Sequence, residues 1–273
     1  DVVLITGGCG GVGRGVVEEL VRRVPGTKVV VLDAVEWGGE KPPNVHTYKV
    51  DLTNIPALTS TISSIQATHG LPTILINNAG ICHGKFLLDT TPSDLQKTFS
   101  VNLFAHHTLL RLLLPSMIEN NHGHIITIGS ITAHLVAPRL VDYAASKAAV
   151  LSLHEGLSME LRHVYKARKV RTSIILPGHI KTELFRGYDN TAPGFLVPSL
   201  EVGTVVEEVV KTVLGGRSRH VVVPVAQNAF LMVSAVPSWP LWLQTEARDH
   251  AATNMANFQG RQVLDPDAER KEE

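Results

Sequence analysis

Short apolar runs alternate with amphipathic stretches along this chain. Val2-Val3-Leu4-Ile5 is a β-branched run leading straight into Thr6-Gly7-Gly8-Cys9-Gly10-Gly11-Val12-Gly13. Helical periodicity follows over residues 16–24 and stops at Pro25-Gly26, and residues 28–32 form a second buried run ending at Asp33. Strand, glycine-rich turn, helix and strand make a βαβ unit. Residues 34–44 hold Gly38-Gly39 and Pro42-Pro43 and read as a loop. Further strands are predicted at 45–50, 73–76, 124–128, 170–176 and 220–223, and helices at 55–68, 92–120, 142–168 and 202–214. Pro115 is expected to kink or break the third of these five helices. Seven apolar strands alternate with helices and carry no hairpin signals. This predicts an α/β, doubly wound Rossmann fold: a seven-stranded parallel sheet with helices on both faces.

Composition narrows the function classes. The 273 residues are 44% hydrophobic and 18% charged, with 25 acidic and 25 basic side chains. Such a balance leaves no electrostatic footprint for nucleic acid. Two cysteines are too few for a disulfide scaffold, so a reducing, cytoplasmic setting is the default. Thirteen histidines show no metal-ligand spacing, and no metal is expected. The chain starts at Asp1 directly before an apolar run, so it is expected to be trimmed, with any N-terminal anchor outside it.

Three features carry chemistry. Gly7, Gly11 and Gly13 lie between a strand and a helix, where small residues let the backbone approach a pyrophosphate. Asp33 ends the second strand, twenty residues past Gly13; a carboxylate there accepts ribose hydroxyls and repels a 2′-phosphate. NAD is therefore expected ahead of NADP, although Arg14 offers a cation that would favour a phosphate. Asp51 ends the third strand and either meets the adenine or caps the next helix, a role Thr53 or Asn54 could also fill. Tyr143 and Lys147 stand four apart on a predicted helix, so an ammonium shares a face with a phenol and is expected to lower its pKa. Ser130, thirteen residues upstream, would hold a carbonyl or alcohol oxygen beside the Tyr143 hydroxyl.

Thr6-Gly7, Gly11, Gly13, Asn77-Asn78-Ala79-Gly80, Ser130, Tyr143, Lys147 and Pro177-Gly178 occur in an order that resembles short-chain dehydrogenases/reductases over residues 2–224. The trailing residues 254–261 and the run 177–182 resemble the branch of retinol dehydrogenases and 17-beta-hydroxysteroid dehydrogenases, fungal relatives included. The resemblance implies that Asn102, Ser130, Tyr143 and Lys147 are catalytic, with Asn102 holding a water in a proton relay. It implies a dinucleotide held by Thr6, Gly7, Gly11, Val12, Gly13, Asp33, Asp51, Leu52, Asn78, Ala79, Gly80, Tyr143, Lys147, Pro177, Gly178, Ile180 and Thr182. Substrate would meet Ser130, Tyr143, Leu184 and Phe185. The link from Asp33 to Asp51 is too short for the helix that many members place there.

Residues 184–200 are apolar enough for a mobile lid over a lipophilic substrate, such as a steroid, retinoid, terpenoid or long-chain alcohol. Residues 225–264 form an apolar extension with three open roles: packing on the core or a second subunit, lining the substrate entrance, or lying on a membrane or lipid-droplet surface such as that of the endoplasmic reticulum. Residues 265–273 are a charged tail expected to be disordered. The leading expectation is an NAD(H)-dependent alcohol–carbonyl oxidoreductase. An NADPH-dependent carbonyl reductase and a non-catalytic nucleotide-binding or lipid-surface protein are the alternatives. A homodimer or homotetramer would pair the long helices at 92–120 and 142–168.

Overall fold

A computed structural model of the chain describes residues 1–189, 198–228, 254–255 and 257–260. The seven predicted strands are all present: β1 (Val2–Thr6), β2 (Lys28–Asp33), β3 (Val45–Lys49), β4 (Ile74–Asn77), β5 (Gly123–Ile128), β6 (Val170–Pro177) and β7 (Arg219–Val223). They pair in parallel in the order β3-β2-β1-β4-β5-β6-β7. Strand order reverses between β1 and β4, so their carboxyl ends splay and leave a crevice where ligands bind in such sheets.

Helices α1 (Gly11–Arg23) and α6 (Val202–Gly215) cover one face. The other carries α2 (Ile55–His69), α4 (Ala105–Glu119) and α5 (Val141–His163). Because both faces are covered, β5 is buried at every position and β2 at all but its ends, which explains their unbroken apolar runs.

Three boundaries differ from the sequence pattern. The first helix starts five residues earlier than predicted, at Gly11, because the glycine-rich segment itself supplies its first turn. The predicted helix at 92–120 is α3 (Pro92–Phe99) and α4 joined by a π-helical turn over Ser100–Phe104, while Pro115 sits inside α4 without ending it. Helix α5 stops at His163 rather than 168, and Lys166 beyond it adopts a left-handed φ of 56°. Much of the predicted lid, most of the apolar extension and the charged tail lie outside the described residues.

Candidate active site

The crevice begins at the loop between β1 and α1. A Cβ on Gly13 would lie 2.1 Å from the Gly7 carbonyl oxygen, so no side chain fits there. Gly10 caps α1 with no side-chain bond to its first amides. An uncapped helix start offers free N–H groups to an anion. The residues here therefore fit a pyrophosphate. Val12 is buried in the α1 core, and Thr6, wholly buried, holds the loop from below. Thr6 Oγ1 accepts the amides of Asn78 and Ala79, both at 3.0 Å, and Asn78 Nδ2 donates to the Thr6 and Gly7 carbonyls, both at 3.0 Å. The Asn77–Gly80 segment is thus the clamp that joins β4 to the glycine loop.

Asp33 stands at the tip of β2 and accepts the Cys9 amide at 2.8 Å and the Val35 amide at 3.2 Å. Cys9, beside that carboxylate and partly buried, has its thiol pushed up to about 11, chiefly by burial. Arg14 is already engaged. It pairs with Glu18 at 2.8 Å, donates to the Gly38 carbonyl at 3.0 Å and lies 4.6 Å from the Trp37 ring centre. Asp51 is exposed and accepts the amide and hydroxyl of Thr53, while Asn54 is the residue that caps α2. Leu52 is buried beneath it.

The chemistry-bearing residues gather where β5 meets α5. Tyr143 and Lys147 are each 3% exposed and Ser130 4%. Lys147 Nζ donates to the Ile128 carbonyl at 3.0 Å and lies 5.6 Å from the Tyr143 ring centre. Gly80 lies beside that ammonium: a Cβ built on it would be 3.6 Å from Nζ, an ordinary contact distance. Ser130 Oγ accepts the amide and hydroxyl of Thr132 and so caps the short turn after β5.

The expected lowering of the Tyr143 pKa by Lys147 does not appear in the protein alone. Burial pushes the phenol up, the Cys82 thiol adds in the same direction, and a hydrogen bond with Ser130 opposes them. The same burial brings Lys147 down to about 8. Each group is buried, and loss of hydration of its charged form dominates both shifts.

Asn102 sits in the π turn. Its Oδ1 accepts the Ile81 amide at 2.8 Å, and its Nδ2 donates to the Ile81 carbonyl at 3.1 Å and to Ser146 Oγ at 2.9 Å. The side chain is a brace between the β4–α3 loop and α5. Ser146 in turn donates to the Tyr143 carbonyl at 2.6 Å.

The far side of the crevice holds the remaining predicted residues. Gly178 follows Pro177 at the end of β6 and donates its amide to the Val223 carbonyl. Ile180 is buried and bridges to Leu200, while Thr182 begins the short turn Glu183–Phe185. Leu184 and Phe185 pack against Tyr143 with Cys82, Ala137 and Leu140.

Five residues at the site escaped the sequence reading. Asp142, buried next to Tyr143, accepts from Thr98 Oγ1 at 2.9 Å and faces His83 at 3.7 Å. Burial pushes its carboxyl up, but the neighbouring His83 ring and the hydrogen bond from Thr98 hold it below the ordinary range. His83 also approaches Asp94 at 3.7 Å. Gln227 is buried against Gly178, where a Cβ would lie 2.5 Å from its Oε1. None of these belongs to a motif, and only contacts distant in sequence reveal them.

A nucleotide-binding crevice beside a buried Ser-Tyr-Lys cluster defines a class of dinucleotide-dependent dehydrogenases. The chain belongs to the short-chain dehydrogenase family, whose profile matches residues 1–192. It is 33% identical over 239 residues to human 17-beta-hydroxysteroid dehydrogenase 13, covering 85% of this chain and 77% of that one. It is 39% identical over 177 residues to Dehydrogenase RED2 of Cochliobolus heterostrophus, covering 64% of this chain and 66% of that relative. A short chain dehydrogenase from Burkholderia cenocepacia J2315, solved in complex with NADP, superimposes with a TM-score of 0.72 at 29% identity, over 90% of this chain and 96% of that one.

Proposed function

We propose that this protein interconverts a lipophilic alcohol and its ketone or aldehyde, with NAD(H) as hydride carrier. The observation that carries this reading is the burial of Ser130, Tyr143 and Lys147 together at the mouth of an anion-binding crevice. Its relatives include, by name, a human hydroxysteroid dehydrogenase and a fungal dehydrogenase.

The glycine loop of Gly7, Gly11, Val12 and Gly13 would hold the pyrophosphate through the free amides of α1. Asp33 would accept the ribose hydroxyls. Asp51, Leu52, Asn78, Ala79 and Gly80 would line the adenosine side, and Pro177, Gly178, Ile180 and Thr182 the nicotinamide side. When bound, the nicotinamide supplies or accepts the hydride. Lys147 would hold its ribose. Ser130 orients the substrate oxygen, and Tyr143 gives that oxygen a proton on reduction or removes one on oxidation. Asn102 keeps α5 and the β4–α3 loop in register, and a bound water there would connect Lys147 to solvent. NAD would be favoured over NADP: Asp33, at the tip of β2, would meet the ribose, while Arg14 is tied to Glu18, Gly38 and Trp37.

The substrate side is apolar, with Leu184, Phe185 and Tyr188 around Tyr143. This fits a steroid, retinoid, terpenoid or long-chain alcohol. A homodimer or homotetramer through α4 and α5 is supported by exposed Phe104, Val141 and Met159. Among the described residues no helix is long and apolar enough to cross a membrane. Contact with a membrane or lipid-droplet surface would rest on residues 225–264, most of which lie outside the described residues.

The test is Tyr143→Phe, read by NADH absorbance with a panel of lipophilic ketones and by NADH binding. Turnover is expected to disappear while NADH still binds. Activity within about tenfold of the unchanged protein would remove Tyr143 from the proton-transfer role.

A further inference from the structure

Residues 254, 255 and 257–260 return to the catalytic end of the sheet and fasten two loops that lie far apart in sequence. On the β6–α6 side, the Asp189 amide donates to the Asn254 carbonyl at 3.1 Å, and the Gln259 amide to the Arg186 carbonyl at 3.0 Å. Asn254 Nδ2 donates to the Tyr188 hydroxyl at 3.1 Å, and Asn257 Nδ2 to Asp189 Oδ2 at 2.8 Å. On the β4–α3 side two backbones touch. A Cβ on Gly84 would lie 2.5 Å from the Gln259 carbonyl carbon, and one on Gly260 would lie 2.6 Å from the Cys82 carbonyl oxygen. Only glycine permits such an approach. Arg139 Nη1 ties the strap to the β4–α3 loop by donating to the Phe258 carbonyl at 2.9 Å and to the Gly84 carbonyl at 3.4 Å.

This strap delivers one side chain inward. Phe258 is wholly buried, in a cluster with Cys82, Ala137, Leu140, Tyr143 and Met255. Its ring lies 6.0 Å from that of Phe185, which meets the Tyr143 ring edge-on, also at 6.0 Å. An aromatic wall therefore stands one residue behind the phenol. In that cluster the Tyr188 hydroxyl is bonded to Asn254, and the Cys82 thiol is pushed up to about 12 by burial, so it stays neutral. A polar substituent on a ligand would find few partners there and would lose its hydration.

We propose that Phe258 is the distal wall of the substrate site and sets the size of the alcohol or ketone that Tyr143 accepts. This rests on reading Tyr143 as the proton donor of an alcohol–ketone oxidoreductase. The strap makes the ring volume count. The Phe258 backbone is fixed on both sides by Arg139 and Gln259, so the ring yields to a larger substrate only by a rotamer change or by release of those bonds.

The experiment compares cyclohexanone with the bicyclic 1-decalone. Binding to the NADH-loaded full chain is read by calorimetry, and turnover by NADH absorbance. Phe258→Ala is expected to raise the decalone-to-cyclohexanone affinity ratio about tenfold, Phe258→Leu to raise it less, and Phe258→Trp to lower it. Opposite movement in Ala and Trp is a readout that a purely structural role would not give, because both variants would then lose the two ketones alike. Parallel losses, an unmoved ratio, or no binding of either ketone to any form overturns the proposal. If Trp does not fold, the graded Ala and Leu responses still decide it. A ratio that shifts without any turnover supports the wall and rejects the oxidoreductase reading. Turnover with a fixed ratio does the reverse.

Discussion

Thr6→Val tests whether the glycine loop is held in place by a side chain beneath it. Valine matches threonine in shape but has no acceptor. Thr6 Oγ1 takes the amides of Asn78 and Ala79, each at 3.0 Å, at a wholly buried position. Losing that oxygen leaves two part-buried amides unsatisfied, at about 1–3 kcal/mol each. The sum is about 2–6 kcal/mol, a large share of a typical stability of about 5–15 kcal/mol. Thr6→Ser keeps the oxygen and loses one methyl, about 1 kcal/mol. Urea unfolding of both variants should therefore place valine at least about 1 kcal/mol below serine. NADH affinity should fall with valine as well, because the same clamp seats Gly7. A valine variant as stable as the serine one would mean that the two amides find other partners, and the clamp would cease to explain the loop.

Two further outcomes follow from charge. Lys147 titrates near 8 in the folded protein and near 10.5 when exposed, so the unfolded chain holds more protons between those values. Lys147 should therefore add stability to the cofactor-free protein as pH rises from about 8 to about 10, by up to about 3 kcal/mol, while the raised thiols of Cys9 and Cys82 act in the opposite direction above about 9. The difference between the unchanged protein and Lys147→Met isolates the lysine; an equal slope in both would exclude the buried ammonium as a contributor. Asp33→Asn keeps an acceptor for the Cys9 amide but removes the negative charge, so the NAD-to-NADP affinity ratio should fall about thirtyfold in a binding titration, and an unchanged ratio would show that Asp33 does not face the ribose.

What was legible in the sequence was local. β1, the glycine loop and Asp33 lie within one βαβ unit, and each strand announces itself by an apolar run because the sheet is covered on both faces. Tyr143 and Lys147 could be placed on one helix face because four residues is about one turn. The π turn at Ser100–Phe104 was not legible, since the same apolar periodicity runs through it into α4. Nor was the end of α5, which His163 leaves without a glycine or proline to mark it. The effect of burial on Tyr143 was missed for a related reason. Spacing shows that a cation is near a phenol, but not that Leu140, Phe185 and Phe258 pack around the phenol and keep water from it. Phe258 lies 119 residues from the Arg139 that anchors it, beyond any local pattern.

The phase of α5 about its own axis decides whether Tyr143 reaches the crevice at all. Two buried hydrogen bonds fix that phase: Thr98 to Asp142 at 2.9 Å and Asn102 to Ser146 at 2.9 Å. Each spans 44 residues, so they form two rungs four positions apart on both partners. Tyr143 and Lys147 follow Asp142 and Ser146 by one residue each, which is a rotation of about 100° on a helix. The rungs thus turn one face of α5 toward α3 and the π turn, and the adjacent face toward Ser130 and Ile128. A single rung would leave α5 free to rock about one contact; two rungs a turn apart define a line. The placement of the phenol–ammonium pair therefore depends on the buried polar groups of the adjacent face. That is why Asn102 and Ser146, bonded to each other and to the backbone at Ile81 and Tyr143, belong to the site.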